Sequence, residues 1–252
     1  MTRKNRWTQI ALAIAVALIA VPAMAQPAAP APAVDPASVA ALTSMAAYLR
    51  TLKTFQVEAV TATDEVLEDG QLIKYNGTTN IVAQFPNKLL ADVSSDRNER
   101  QYVYDGKTFT LLARRAGYYA TVPAPETVRE LADVLSAKYD IEVPLSDLFL
   151  WGAPGWNSAD ITSAVDIGPG DVAGTTCEHY AFRQEGVDWQ IWIQKGDFPL
   201  PRKLVITTTT DAARPQHTAI YLWNLAPSVN DAAFTFTPPT GAHKIVLATI
   251  DK

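Results

Sequence analysis

The stretch Val187 to Thr210, VDWQIWIQKGDFPLPRKLVITTTT, constrains the fold more than any other part of the chain. Two runs dense in β-branched and aromatic residues flank Lys195-Gly196-Asp197 and Pro199-Leu200-Pro201, which forbid regular structure and turn the chain back. The expectation is a long β-hairpin. Along its first arm Trp189, Ile191 and Ile193 point one way, and Asp188, Gln190, Trp192 and Gln194 the other. One face is therefore apolar throughout, and the other is polar apart from a single indole. The second arm offers either Lys203, Val205 and Thr207 or Leu204, Ile206 and Thr208 to the apolar face, depending on register. The all-apolar pairing is expected, giving a band of Trp189, Ile191, Ile193, Leu204 and Ile206. Covering such a band is worth roughly 1.5–3 kcal/mol per large side chain, so something apolar has to lie on it.

The chain opens with a basic lead (Arg3, Lys4, Arg6), an unbroken apolar run from Ile10 to Val21, and Ala23-Met24-Ala25, a small-x-small cleavage pattern. Residues 1–25 are expected to be an export signal, cut before Gln26, because the run is short for a membrane span. The single cysteine, Cys177, excludes an internal disulfide, and its distance from the cleavage site excludes an N-terminal lipid anchor. Its strand-like surroundings suggest a small buried hydrophobe. Removing the three basic residues of the leader takes the net charge from -5 to about -8. That balance argues against nucleic acid and anionic membrane surfaces as partners. The expected location is the periplasm, as a soluble monomer.

Gln26 to Asp35 (QPAAPAPAVD) has the composition of a Pro/Ala tether. From Pro36 to Lys252 the length suits one domain, with no second linker or repeat. Asp35-Pro36 starts a helix whose Val39, Leu42, Met45, Ala46 and Leu49 share one stripe. Short alternating runs follow: 55–62, 72–85 (with Gly77 a candidate bend), 88–93, 100–104, 107–113 and 118–122, with the hairpin turn Asp105-Gly106 among them. Consecutive strands with short turns predict an antiparallel meander. Pro125 to Tyr139 is expected to be a helix opened by Pro125 and Glu126, with Val128, Leu131, Leu135 and Tyr139 on one stripe. Pro144 to Leu150 adds a second amphipathic piece before the indole-rich Trp151 to Trp156. Inserted in mid-sheet, these pieces suit either a cover over the apolar face or ordinary core packing. Strands resume at 164–167 and 175–184, with Gly168-Pro169-Gly170 as a turn, then the hairpin, then 217–225. Phe234 and Phe236 share one side of a terminal segment, and 241–250 is a candidate last strand.

The sequence shows no nucleophile elbow, phosphate loop, dinucleotide fingerprint or HExxH pattern, and no cofactor is expected. His179, His217 and His243 lack metal-ligand spacing, and His179 is expected to make a structural hydrogen bond. Arg114-Arg115 marks a solvated hairpin tip. These absences predict a protein that is not an enzyme.

Tyr104-Asp105-Gly106-Lys107-Thr108-Phe109, the spacing from Trp192 to Pro199-Leu200-Pro201-Arg202-Lys203, and DAAFTFTPPTGA from Asp231 resemble the LolA family of periplasmic lipoprotein carriers. The whole pattern from Pro36 to Val246 is closer still to the related periplasmic DUF2092 family, whose members carry DWQIWI and PLPRK in this arrangement. The resemblance implies an α+β fold: an open antiparallel half-barrel around an apolar cavity, with helices as its lid. It implies a carrier or sensor for an acyl chain, a lipid or a lipoprotein, with a membrane-bound donor or acceptor as a further partner. Cavity lining is then expected from Trp189, Ile191, Ile193, Leu204, Ile206, Phe85, Leu131, Leu135 and Leu148. Where the LolA carriers place a lid-latching arginine before a Pro-Asn pair, this chain has Phe85 before Pro86-Asn87, which cannot hydrogen-bond a lid carbonyl. The alternative is a regulatory or scaffold module that binds protein and fills the cavity with its own side chains.

Overall fold

Period-two alternation dominates the chain after its first helix, and in the computed structural model it produces, among the described residues, one sheet of twelve strands. The structure describes residues 33–153 and 156–250; the expected export signal and most of the Pro/Ala tether lie outside them. Helix α1 (Pro36–Thr51) precedes a six-strand meander: β1 (Thr54–Val66), β2 (Leu72–Gln84), β3 (Lys88–Ser95), β4 (Glu99–Tyr104), β5 (Thr108–Ala113) and β6 (Tyr118–Pro123). Helices α2 (Val128–Tyr139) and α3 (Asp147–Leu150) interrupt the sheet. It resumes as β7 (Ser163–Val172), β8 (Thr175–Gln184), β9 (Val187–Gln194), β10 (Pro201–Thr208) and β11 (Gln216–Asn224), and ends with β12 (His243–Lys244).

The two meanders join where β11 pairs antiparallel with β1, so the order is β12-β6-β5-β4-β3-β2-β1-β11-β10-β9-β8-β7. Every pairing is antiparallel except β12 with β6. The edge strands β7 and β12 do not meet, and the sheet stays open. Helices α1, α2 and α3 lie over one face. Leu42, Met45, Ala46 and Leu49 of α1, Leu131 and Leu135 of α2, and Leu148 and Phe149 of α3 form one core with Val57, Ile81, Ala91, Tyr104, Ile191 and Tyr221 of the sheet. This is the α+β half-barrel with a helical cover.

The register of the organising hairpin is the all-apolar one: Leu204 faces Ile191, Ile206 faces Trp189, and Pro201 faces Ile193. On the opposite face the lone indole is explained by its neighbours. His179 of β8 stacks flat on Trp192 with centroids 3.8 Å apart, and the Lys203 ammonium of β10 sits 4.5 Å from the ring. Trp192 thus packs between side chains of its two neighbouring strands.

Several local expectations are corrected. Gly168-Pro169-Gly170 is not a turn but part of β7, where the register skips Ile167 between Asp166 and Gly168 as a β-bulge. Proline is tolerated there because β7 is an edge strand and Pro169 needs no ladder donor. The turn comes later, at Ala173-Gly174, both at positive φ. Helix α2 begins at Val128, not Pro125. Its cap is Thr127, whose hydroxyl accepts from the Glu130 amide at 3.2 Å and donates to the Glu130 carboxylate at 2.9 Å. Only Asp147–Leu150 of the second amphipathic piece is helical. The 241–250 strand shrinks to His243–Lys244, parallel to β6. The last residues of the Pro/Ala stretch are built into the domain: Val34 bridges to Ala164, and the Asp35 amide donates to the Ala164 carbonyl at 3.0 Å.

Candidate functional site: a groove under the helical cover

Asp35 caps α1, accepting from the Ser38 hydroxyl at 2.6 Å and from the amides of Ala37 and Ser38. The Ser38 hydroxyl, and then those amides, hold its carboxyl below the usual carboxylate range. The helix lays its apolar stripe across the sheet and ends at Thr51. The chain then corners sharply, and the Phe85 amide at the end of β2 donates to the Lys53 carbonyl at 2.8 Å. The Val128 amide at the head of α2 donates to the Pro86 carbonyl at 2.9 Å. These bonds set the end of α1, the β2–β3 corner and the start of α2 around a groove of about 400 Å³.

Leu49, Leu52, Phe85, Leu148 and Phe149 supply its apolar lining, and Arg50, Lys53, Arg129 and Glu130 its charged residues. Phe85, Phe149 and Phe55 pack together, with centroids 5.7 Å apart for Phe55–Phe85 and 6.5 Å for Phe55–Phe149. One guanidinium nitrogen of Arg50 donates to the carbonyls of Phe149 and Trp151, 3.3 Å each. The cover is therefore tied down by an arginine, but one on α1 and not at the position of Phe85.

A second, smaller pocket of about 160 Å³ lies over the organising hairpin, lined by Asp147, Trp151, Trp156, Gln184, Val187, Trp189, Leu204 and Ile206. The nine residues expected to line a cavity thus separate into three groups. Phe85 and Leu148 line the groove. Trp189, Leu204 and Ile206 line the smaller pocket. Ile191, Ile193, Leu131 and Leu135 are closed core, each at most 5% exposed, in the one cluster that holds sheet and helices together. Sequence reasoning missed Leu49, Leu52, Arg50, Lys53 and Phe149 of the groove, and Asp147, Trp151 and Trp156 of the pocket. The visible signal was the basic pair Arg50 and Lys53, one in the last turn of α1 and the other just beyond its end.

The histidines take structural places. A ring nitrogen of His179 lies 3.0 Å from the Gln190 amide oxygen, and burial depresses its pKa. His217 meets the Thr63 hydroxyl at 2.8 Å and is likewise depressed by burial. His243 packs against Tyr118 at the β6 edge. Cys177 is buried, and burial raises its thiol pKa.

Fold and groove define an open antiparallel half-barrel whose concave face is covered by helices, with a lined opening at the edge of the cover. The family model described as "Predicted periplasmic protein (DUF2092)" matches residues 38–248, and the chain belongs to that family. Among the described residues no helix is long and apolar enough to cross a membrane. No curated protein matches the chain. Solved structures with a similar outline include LprF from Mycobacterium bovis, with TM-score 0.43 and 10% identity over 84% of this chain and 99% of that one. The lipoprotein LppX from Mycobacterium tuberculosis gives TM-score 0.40 and 10% identity over 78% and 100%. A LolA superfamily protein from Nitrosomonas europaea gives TM-score 0.36 and 10% identity over 79% and 97%.

Proposed function

We propose that this periplasmic protein is a non-catalytic carrier or sensor that takes an acyl chain, a lipid or a lipidated protein into the groove between α1, α2 and α3. The observation that carries the proposal is the apolar lining of Leu49, Leu52, Phe85, Leu148 and Phe149, open to solvent at a rim bearing Arg50, Lys53 and Arg129. Its volume is near the lower end of small-molecule sites, about 300–1,000 Å³, and its lining has their mixture of apolar walls and few polar groups. A longer chain would reach further only by lifting α3. Organic extraction of the native protein followed by mass spectrometry is expected to return an amphiphile, and an environment-sensitive apolar dye is expected to bind and be displaced by fatty acid. A well-folded protein that yields no amphiphile and takes up no dye would overturn the proposal.

One observation favours a second reading. The sheet face behind the groove is already filled by the chain's own side chains, with Ile191 and Leu135 wholly buried. A scaffold that binds protein on its surface would need no more than this.

A further inference from the structure

The smaller pocket has a chemistry different from the groove. Three of its eight lining residues are tryptophans, and its single acidic group is Asp147. Trp189 is held in place: its indole N–H donates to the Gln184 amide oxygen at 2.9 Å, and its ring stacks on Phe182 at 4.3 Å. Trp151 is nearly buried, while Trp156, Val187, Gln184 and Ile206 are half-buried and form the opening. Trp151, Trp156 and Trp189 all line this one space of about 160 Å³.

We propose that this pocket is a cage for a small organic cation of the trimethylammonium class, with Asp147 as counter-charge and Trp151, Trp156 and Trp189 as walls. Indole faces carry negative quadrupole density and attract a cation without offering it lone pairs. A metal ion would need several oxygen, nitrogen or sulfur ligands, whereas the pocket supplies one carboxylate and a Gln184 oxygen already engaged by Trp189. A primary ammonium or guanidinium would bring N–H donors that Leu204, Val187 and Ile206 cannot satisfy. A quaternary ammonium brings none. Among the described residues no lysine or arginine lines the pocket. Burial, with Glu142 adding repulsion, raises the Asp147 carboxyl above the usual range, and a cation beside it would favour its charged form and offset that rise.

The test is titration calorimetry of the mature protein with choline, set against 3,3-dimethylbutan-1-ol, which has the same shape with carbon in place of the charged nitrogen. Choline is expected to bind at least about tenfold more tightly than the alcohol, as a desolvated cation–π site implies. Asp147→Asn is expected to remove that preference, and Trp156→Leu to weaken choline while leaving the thermal transition in place. Equal binding of the alcohol, or no saturable heat from folded protein, would overturn the proposal. Flotation with phosphatidylcholine and phosphatidylglycerol vesicles distinguishes the source. Retention on phosphatidylcholine alone, lost in Asp147→Asn, assigns a lipid headgroup; choline binding without retention assigns the free cation. Dye uptake by the groove is expected to be unchanged at saturating choline.

Discussion

The rings of Phe85 and Phe149 meet edge-on across the groove, with centroids 6.0 Å apart and planes at 78°. One belongs to the corner after β2 and the other to the short helix α3, and both line the groove. Phe55 lies behind both and continues to Trp223 at 5.4 Å. Two members of this aromatic row differ in burial: Phe55 is 2% exposed, while Phe85 is half-buried.

That difference predicts a divergence between substitutions of one residue type. Phe55→Ala leaves a cavity in closed core and is expected to cost about 3–5 kcal/mol. Phe85→Arg loses edge contacts worth about 1–2 kcal/mol, and its charge can reach solvent beside Glu130. For a domain of this size the Phe85→Arg loss corresponds to a fall of about 2–8 °C in Tm. Calorimetry of both variants checks this, and a collapse of the Phe85→Arg transition would make Phe85 ordinary core.

Arg50 predicts a local effect with little global consequence. Its two bonds hold the carbonyls of Phe149 and Trp151, but the side chain is largely exposed, so its removal is expected to cost only about 1 kcal/mol. What changes is the freedom of α3. In Arg50→Ala, amide hydrogen exchange is expected to speed up across residues 147–153 and to stay as slow as in the native protein in β9 and β10. Uniform acceleration would mean that Arg50 supports the whole fold and does not act on the cover.

A pH effect follows from the stack on the outer face. Burial, more than the nearby Lys203, lowers the pKa of His179, while the Gln190 bond and Asp166 oppose it. The unfolded chain therefore takes up the proton first, at a pKa of about 6.5. The stabilisation is complete above that pH and is lost as pH falls through the lower folded pKa. His217 acts in the same direction and Asp147, with its raised carboxyl, in the opposite one. The quantity to measure is consequently the difference between native protein and His179→Gln, in Tm from pH 8 to pH 5. The native protein is expected to show the steeper acid loss, and parallel curves would remove His179 from the account.

Much of the fold was legible because side-chain alternation is a local property. Leu204 and Ile206 could be placed on the face of Ile191 and Trp189 from sequence, since a one-residue slip would turn both to the other face, but which residue sits opposite which came only with the structure. Less legible were features that depend on what a third element brings. Pro169 looks like a turn residue, and only the place of β7 at the sheet edge makes it a strand residue. Ile191 and Leu135 have the same apolar character as Leu148, yet the first two are wholly buried in the core while Leu148 lines the groove. Asp147 opens α3 and Trp156 lies nine residues further on, beyond that one-turn helix, so no periodicity indicates that they face a common pocket.

The same sorting decides how the groove should be tested. Leu135 and Leu52 are both apolar helix-associated residues, but Leu135 is wholly buried, whereas Leu52 is half-buried at the end of α1 and lines the groove. Leu135→Asp places an unpaired carboxylate in closed core and is expected to cost about 3–5 kcal/mol, so any loss of ligand uptake there would report unfolding. At Leu52 the new carboxylate can turn to water beside Lys53, and the expected cost falls to about 1–2 kcal/mol. An acyl chain lying in the groove would meet that carboxylate directly, and burying a charge against hydrocarbon is unfavourable. Leu52→Asp is therefore expected to weaken binding of an apolar dye about tenfold or more, with a cooperative thermal transition retained. Unaltered dye binding in a folded Leu52→Asp variant would place the ligand elsewhere and favour the scaffold reading.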